Sequence, residues 1–313
     1  MQLGFAVPTS GSWATPDHMV ELATAAEGLG FTSLWTFQRL LFPADEAETA
    51  NPRWQPVYRS VHDPLITLAF LAAHTSRIRL GVAVLNMPWF SPILLAKQAT
   101  TLDHVSGGRL DLGLGLGWSH LEYDAAAAPF ERRGERADDF LACLTAIWTE
   151  DPVEYESEFH VVRRAHVHPR PVQQPHPPVL LGGAAPAALR RAGRLSQGWI
   201  SSSGADLNTI GSSIAVVRDA ATAAGRAADA LRFVCRGVVR VRPAGQQQRR
   251  PLSGSLEEIR GDLAVIANQG VTELFVDLNF DRQIGSPDAD PDVSMRRAHE
   301  VLEALAPTAQ GLS

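Results

Sequence analysis

Eight times along this chain an apolar run of four to eight residues gives way to a longer run with helical periodicity, and that alternation constrains the fold more than any other feature. Residues 2–7, closed by Pro8, open the series as a strand. Thr15-Pro16-Asp17 then starts a helix, with Thr15 as cap and Pro16 at the first helical position, where a missing N–H costs nothing. Further strands are predicted at 32–36, 78–85, 110–116, 179–181, 198–201, 233–241 and 273–276. Helices at 64–75, 92–105, 133–148, 186–195, 207–224, 255–269 and 293–305 alternate with them. Such a rhythm calls for parallel strands joined by helical crossovers. Eight units in 313 residues suit one α/β domain, a closed (β/α)8 TIM barrel, with loop insertions at its C-terminal face, where barrels bind ligands. The rival, an open doubly wound sheet, needs Gly-x-Gly-x-x-Gly after the first strand, and Val7-Pro8-Thr9-Ser10-Gly11 does not supply it.

Composition removes several function classes. Twenty-eight basic against 34 acidic residues give a net charge of −6, so no basic excess exists for nucleic acid. Cys143 and Cys235 are too sparse for a disulfide scaffold or a zinc site and fit a reducing cytoplasm. The start, MQLGFAVPTSG, lacks the basic stretch and apolar core of a leader, and the most apolar run, 65–73, is too short to span a bilayer. The expectation is a cytoplasmic protein with a small-molecule partner and no nucleic-acid or membrane partner.

Three stretches interrupt the rhythm: 37–62, the proline-rich 151–178, expected to run extended along the surface, and the polar, mobile-looking 244–254. Other residues suggest chemistry. Gly113, Gly115 and Gly117 alternate along one strand, so all three fall on one face, either as a bed for a flat ligand or as a taper in the barrel interior. Leu181-Gly182-Gly183-Ala184-Ala185-Pro186 runs from a strand into a helix whose free N–H groups suit a phosphate, with Arg190, Arg191 and Arg194 one turn later. Trp13, Trp54, Trp89 and Trp118 all follow strand ends, suggesting an apolar pocket for a planar guest, with loop packing as the alternative. His166 and His168 alternate, but no third ligand is spaced to join them, so no metal site is expected. A Gly-x-Ser-x-Gly elbow is absent, which leaves a serine triad unsupported.

Joined motifs then point to a family. Arg77-Ile-Arg-Leu-Gly81 leads through Ser91-Pro92 and Ala96-Lys97-Gln98 to Leu102-Asp103-His-Val-Ser106-Gly107-Gly108-Arg109-Leu110 and the glycine strand. His168-Pro-Arg-Pro171 continues through Pro178-Val-Leu-Leu-Gly182-Gly183 to Gly198-Trp199. In these stretches the chain resembles the luciferase-like oxidoreductases, and within them the branch that uses the deazaflavin coenzyme F420. The resemblance implies a homodimer and a ring system lying at the barrel mouth. It places a non-proline cis peptide bond between Ala83 and Val84, behind the ring. Gln38 and Asn86 would touch the ring, Leu116 and Gly117 would line it, and Gly182, Gly183 and Ala185 would take the phosphate-bearing tail.

The chain also departs from that branch. Where related dehydrogenases carry an Asp-His pair it has Gln38-Arg39, and where they tend to carry a glutamate it has Trp118. Arginine stays charged at neutral pH and is a poor proton shuttle. Arg39 is left to bind an anionic group, to stabilise developing negative charge, or to pair with a loop carboxylate. Glu122, Tyr58 or a water would handle the proton. Three readings follow: an F420-dependent oxidoreductase of an apolar small organic substrate, an FMN-dependent monooxygenase served by a separate reductase, and a cofactor-binding relative without catalysis.

Overall fold

A computed structural model describes residues 1–307. Eight parallel strands close into a barrel in chain order: Gln2–Ala6, Ser33–Thr36, Arg79–Asn86, Leu110–Gly115, Val179–Gly182, Gly198–Ile200, Arg232–Val238 and Glu273–Asp277, the last pairing with the first. Helices cover the outside. Those at Pro92–Val105 and Pro186–Leu195 begin and end where the sequence places them. In the first, Ser91 caps the end by accepting the Leu94 N–H and Pro92 fills the first helical position.

The interior is plugged from the N-terminal end. Trp35 stacks on Phe275 at 5.0 Å, and Ala6, Leu180, Ile200 and Val234 pack with them. Below that layer the buried Asp111 receives both Arg79 and Arg232, and Arg232 also reaches Glu273 at 2.8 Å. Burial works to raise the Asp111 carboxyl, but its two guanidinium partners hold it below the ordinary carboxylate range. A barrel closed at one end leaves room for a ligand only at the other.

The insertions are more ordered than the sequence suggests. Residues 151–178 do not simply run extended: they begin with an antiparallel hairpin, Val153–Glu156 against Val161–Ala165. Its anchor is Asp139, which accepts from Tyr155, Ser157 and His160. The 37–62 loop carries a short helix, Glu46–Thr49, and a 3-10 turn, Pro56–Arg59. Within 244–254, Arg249 is held by both oxygens of Asp262 and Leu252 is fully buried, so this segment too is tied down. Among the described residues no helix is long and apolar enough to cross a membrane.

Candidate active site

At the C-terminal mouth of the barrel lies a cavity of about 310 Å3, within the range of small-molecule and cofactor sites. Its back wall is the end of the third barrel strand. The Ala83–Val84 peptide bond is cis, as the family resemblance implies, and the pairing with the fourth strand shifts register between Val82 and Leu85. Gln38 fixes this end of the strand: its Oε1 accepts the Asn86 backbone N–H at 2.8 Å. Ala83, Val84 and Asn86 all line the cavity.

The bulged strand explains the glycine run. A Cβ at Gly113 would lie 2.0 Å from the Val82 carbonyl oxygen, and one at Gly115 would lie 2.5 Å from Val84 Cγ2. Gly113 therefore accommodates neighbouring backbone and is no bed for a ligand. Gly115 lines the cavity with Val84 packed against it. Gly117 differs, with φ +70°, at the cavity edge beside Asn86 and Trp89.

The opposite rim is the turn into helix Pro186–Leu195. Gly182 and Gly183 line the cavity, Gly183 has φ +134°, and Trp199 Nε1 donates to its carbonyl at 2.8 Å. The helix starts at Ala185 without a side-chain cap; Pro186 has no N–H and Ala188 and Leu189 donate to the Ala185 carbonyl, which leaves the Ala187 N–H of the first turn for a ligand. Ala185 itself is exposed and lies just outside the cavity lining, whereas Ala188 lies within it. Arg191 and Arg194 do not reinforce the turn: both reach Asp138 on the neighbouring helix. Ser201, Ser202 and Ser203, which the sequence reading passed over, bring hydroxyls to the same wall.

The third wall is aromatic and holds Arg39. Its guanidinium carbon sits 4.3 Å from the Tyr58 ring centre, 4.8 Å from Trp118 and 5.4 Å from Trp54. Arg39 Nη1 donates to Glu122 Oε2 at 2.5 Å, with side chains 9% and 0% exposed. Glu122 also accepts the Leu40 N–H. Of the roles open to Arg39, pairing with a carboxylate is the one the geometry displays, with Glu122 on the short helix His120–Ala125 and not on a loop. Burial pushes the Glu122 carboxyl up, against the pull of Arg39 and of the backbone N–H groups of Leu40 and Leu41. Glu122 is turned to Arg39 and is not part of the cavity lining, whereas Tyr58 does line the cavity.

The four tryptophans separate. Trp118 lines the cavity, and Trp54 packs behind it at 4.8 Å. Trp89 borders Gly117, its Nε1 buried without a hydrogen-bond partner. Trp13 is wholly buried in the main core and does not belong to the pocket.

Arg236 is the charged site residue that the sequence reading missed. It lines the cavity floor, pairs with the buried Asp277 at 2.7 Å, and donates through Nη2 to the Ala83 carbonyl. An arginine in the middle of the otherwise apolar run Phe233–Val238 was the available signal.

With this geometry in place, the comparison with known families is decisive. The family described as luciferase-like monooxygenase matches residues 1–299. The chain belongs to that family. The FMNH(2)-dependent dimethylsulfone monooxygenase of Pseudomonas putida is 32% identical to this luciferase-like protein over 169 residues, 53% of this chain and 46% of that enzyme. Among solved structures, monooxygenase RslO1 from Streptomyces bottropensis superposes with a TM-score of 0.79 at 22% identity, covering 99% of this chain and 100% of that one. An F420-dependent secondary alcohol dehydrogenase superposes with a TM-score of 0.76 at 15% identity, covering 97% and 98%. At those identities the two structures speak for a shared luciferase-like fold.

Proposed function

We propose that this protein is an FMN-dependent monooxygenase that receives reduced FMN from a separate reductase and oxidises a small, largely apolar organic substrate. The observation that carries the reading is the cavity itself, bounded on one side by the Ala83–Val84 bulge and on the other by an uncapped helix start. The FMNH(2)-dependent relative favours FMN. That reverses the order expected from sequence, which put F420 first.

The residues present fit such a cofactor. A Cβ at Gly117 would come within 3.2 Å of Asn86 Oδ1, so the open edge there depends on glycine. Trp89 Nε1 is a buried donor without a partner beside that edge. Val84 and Asn86 would back the ring, Leu116 and Gly117 would flank it, and Gly182 and Gly183 with the helix start would hold the phosphate. Reduced FMN, when bound, supplies the electrons with which dioxygen is activated.

The chain's own residues then set the surroundings. Tyr58, Phe37, Phe280 and Trp118 exclude water from the substrate side. Arg39 and Arg236 are each offset by a carboxylate, so the walls offer N–H donors with little net charge and suit a neutral substrate with an oxygen acceptor.

Hydride transfer with F420 is the second reading, favoured by the fold shared with the alcohol dehydrogenase. Titration of the full chain with each cofactor, followed by tryptophan fluorescence, separates the two. Micromolar binding of FMN and oxygen uptake with reduced FMN are expected. Tight binding of F420 with none of FMN would overturn the proposal, and binding without any turnover would leave a cofactor-binding relative.

A further inference from the structure

Away from the cavity, the structure brings together three side chains that the sequence holds apart. His166 Nδ1 lies 2.6 Å from Asp151 Oδ1, and His168 Nε2 lies 3.2 Å from Asp151 Oδ2. The two rings are near parallel, at 23°, with centres 6.1 Å apart. One ligand atom from each residue falls within 4.8 Å of the other two. Asp151 is the third ligand that the sequence reading did not find. It opens the proline-rich insertion, and the hairpin Val153–Glu156/Val161–Ala165 returns the chain beside it.

We propose that Asp151, His166 and His168 form a binding site for one divalent transition-metal ion, with Zn2+ the fitting physiological ion. Two imidazoles and one carboxylate are borderline donors that favour Zn2+, Ni2+ or Cu2+ over the hard ions Mg2+ and Ca2+. With bonds of about 2.1 Å, a metal ion sets its ligand atoms roughly 3.4 Å apart in a tetrahedron and up to about 4.2 Å apart across an octahedron. His168 Nε2 is already near that spacing from Asp151, whereas His166 Nδ1, hydrogen-bonded to Asp151 at 2.6 Å, must give up that contact and rotate outward to admit an ion. Water would fill the remaining positions, because all three residues are exposed.

The backbone that carries the histidines is fixed in advance. Lys97 Nζ donates to the His168 carbonyl, His104 meets the Arg170 carbonyl at 2.6 Å, and the Gln173 N–H donates to Asp103 at 2.9 Å. From His168 onward the segment is thus tied to the helix Pro92–Val105, and just before His166 the hairpin pairs Ala165 with Val153. The nearest competing cation is Arg170, 3.7 Å from Asp151 Oδ1. Its guanidinium is committed to the carbonyls of Ile147 and Glu150 at the end of helix Arg133–Thr149. It lowers the attainable affinity without filling the site. A bound ion would clip the base of the hairpin to the end of that helix.

The test is calorimetric titration of Zn2+ into the chelator-treated full chain, with Co2+ absorption as a spectroscopic check. One ion per chain is expected, together with a raised melting temperature. His166→Ala and His168→Ala should each weaken binding by about tenfold or more and remove the thermal shift. Both side chains are exposed, so these variants should match the parent in circular dichroism and in melting without metal. An unchanged isotherm in the His166→Ala/His168→Ala double variant would overturn the proposal. So would displacement of Zn2+ by equimolar Mg2+, or no binding up to millimolar Zn2+.

Discussion

Arg236 and Asp277 form an ion pair of 2.7 Å beneath the cavity, with side chains 6% and 0% exposed. Arg236→Gln strands the carboxylate in a site that excludes water. Breaking a buried pair from one side costs about 3–5 kcal/mol. Urea unfolding should show a loss of that order, and adding Asp277→Asn should recover more than half of it. A single variant losing less than about 1 kcal/mol, the range of a surface pair, would show that the pair does not carry the floor of the site.

Trp118 and Trp13 should report differently on cofactor binding. Trp118 lines the cavity, whereas Trp13 is sealed in the core. Trp118→Phe should therefore remove a large part of the fluorescence quenching seen on FMN addition, while Trp13→Phe leaves its amplitude nearly intact. The opposite pattern would place the cofactor elsewhere.

Gly183→Val tests the phosphate turn. Gly183 has φ +134°, and a Cβ there would lie 2.6 Å from Ala188 Cβ. The substitution displaces the start of helix Pro186–Leu195 and crowds the rim. FMN affinity should fall by about tenfold or more, equivalent to about 1.4 kcal/mol, with the barrel still folded by circular dichroism. Unchanged affinity removes the turn from the site.

Acid should loosen the hairpin. Burial works to raise the Asp139 carboxyl, but donors on His160, Tyr155 and Ser157 outweigh it and hold the group below its ordinary value of 3.8. A carboxylate depressed by folding contributes stability that is fully present above its unfolded value and is lost as pH falls through the folded one. Thermal melts between pH 6 and pH 3 should show this loss in the parent chain. Asp139→Asn should be less stable at pH 6 and flatter towards pH 3, and a parallel decline would contradict the assignment.

Much of the fold was legible because strand and helix periods differ and because proline and serine mark helix starts, as at Ser91-Pro92. The hairpin was hidden because its strands are only four and five residues long, the second is almost wholly exposed, and prolines crowd the segment that follows. Within the site, sequence order pointed to the glycine turn and Trp118, since these follow strand ends, whereas the Ala83–Val84 bulge was expected from the family resemblance alone. It could not tell which way a loop ring turns, so Trp13 was placed at the mouth although it points into the core. Contacts between distant segments were equally invisible: Arg39 with Glu122 spans 83 positions, and Arg236 with Ala83 spans 153.

The crowding at Gly113 and Gly115 has a practical meaning for anyone reshaping this protein towards other substrates. Enlarging a side chain along that strand pushes on a neighbouring strand, with no compliant surface to absorb the change. The short helix Glu46–Thr49 in the 37–62 connection buries no side chain and can be rewritten at far less structural risk. Diversification by library design should therefore begin there and leave the glycines untouched.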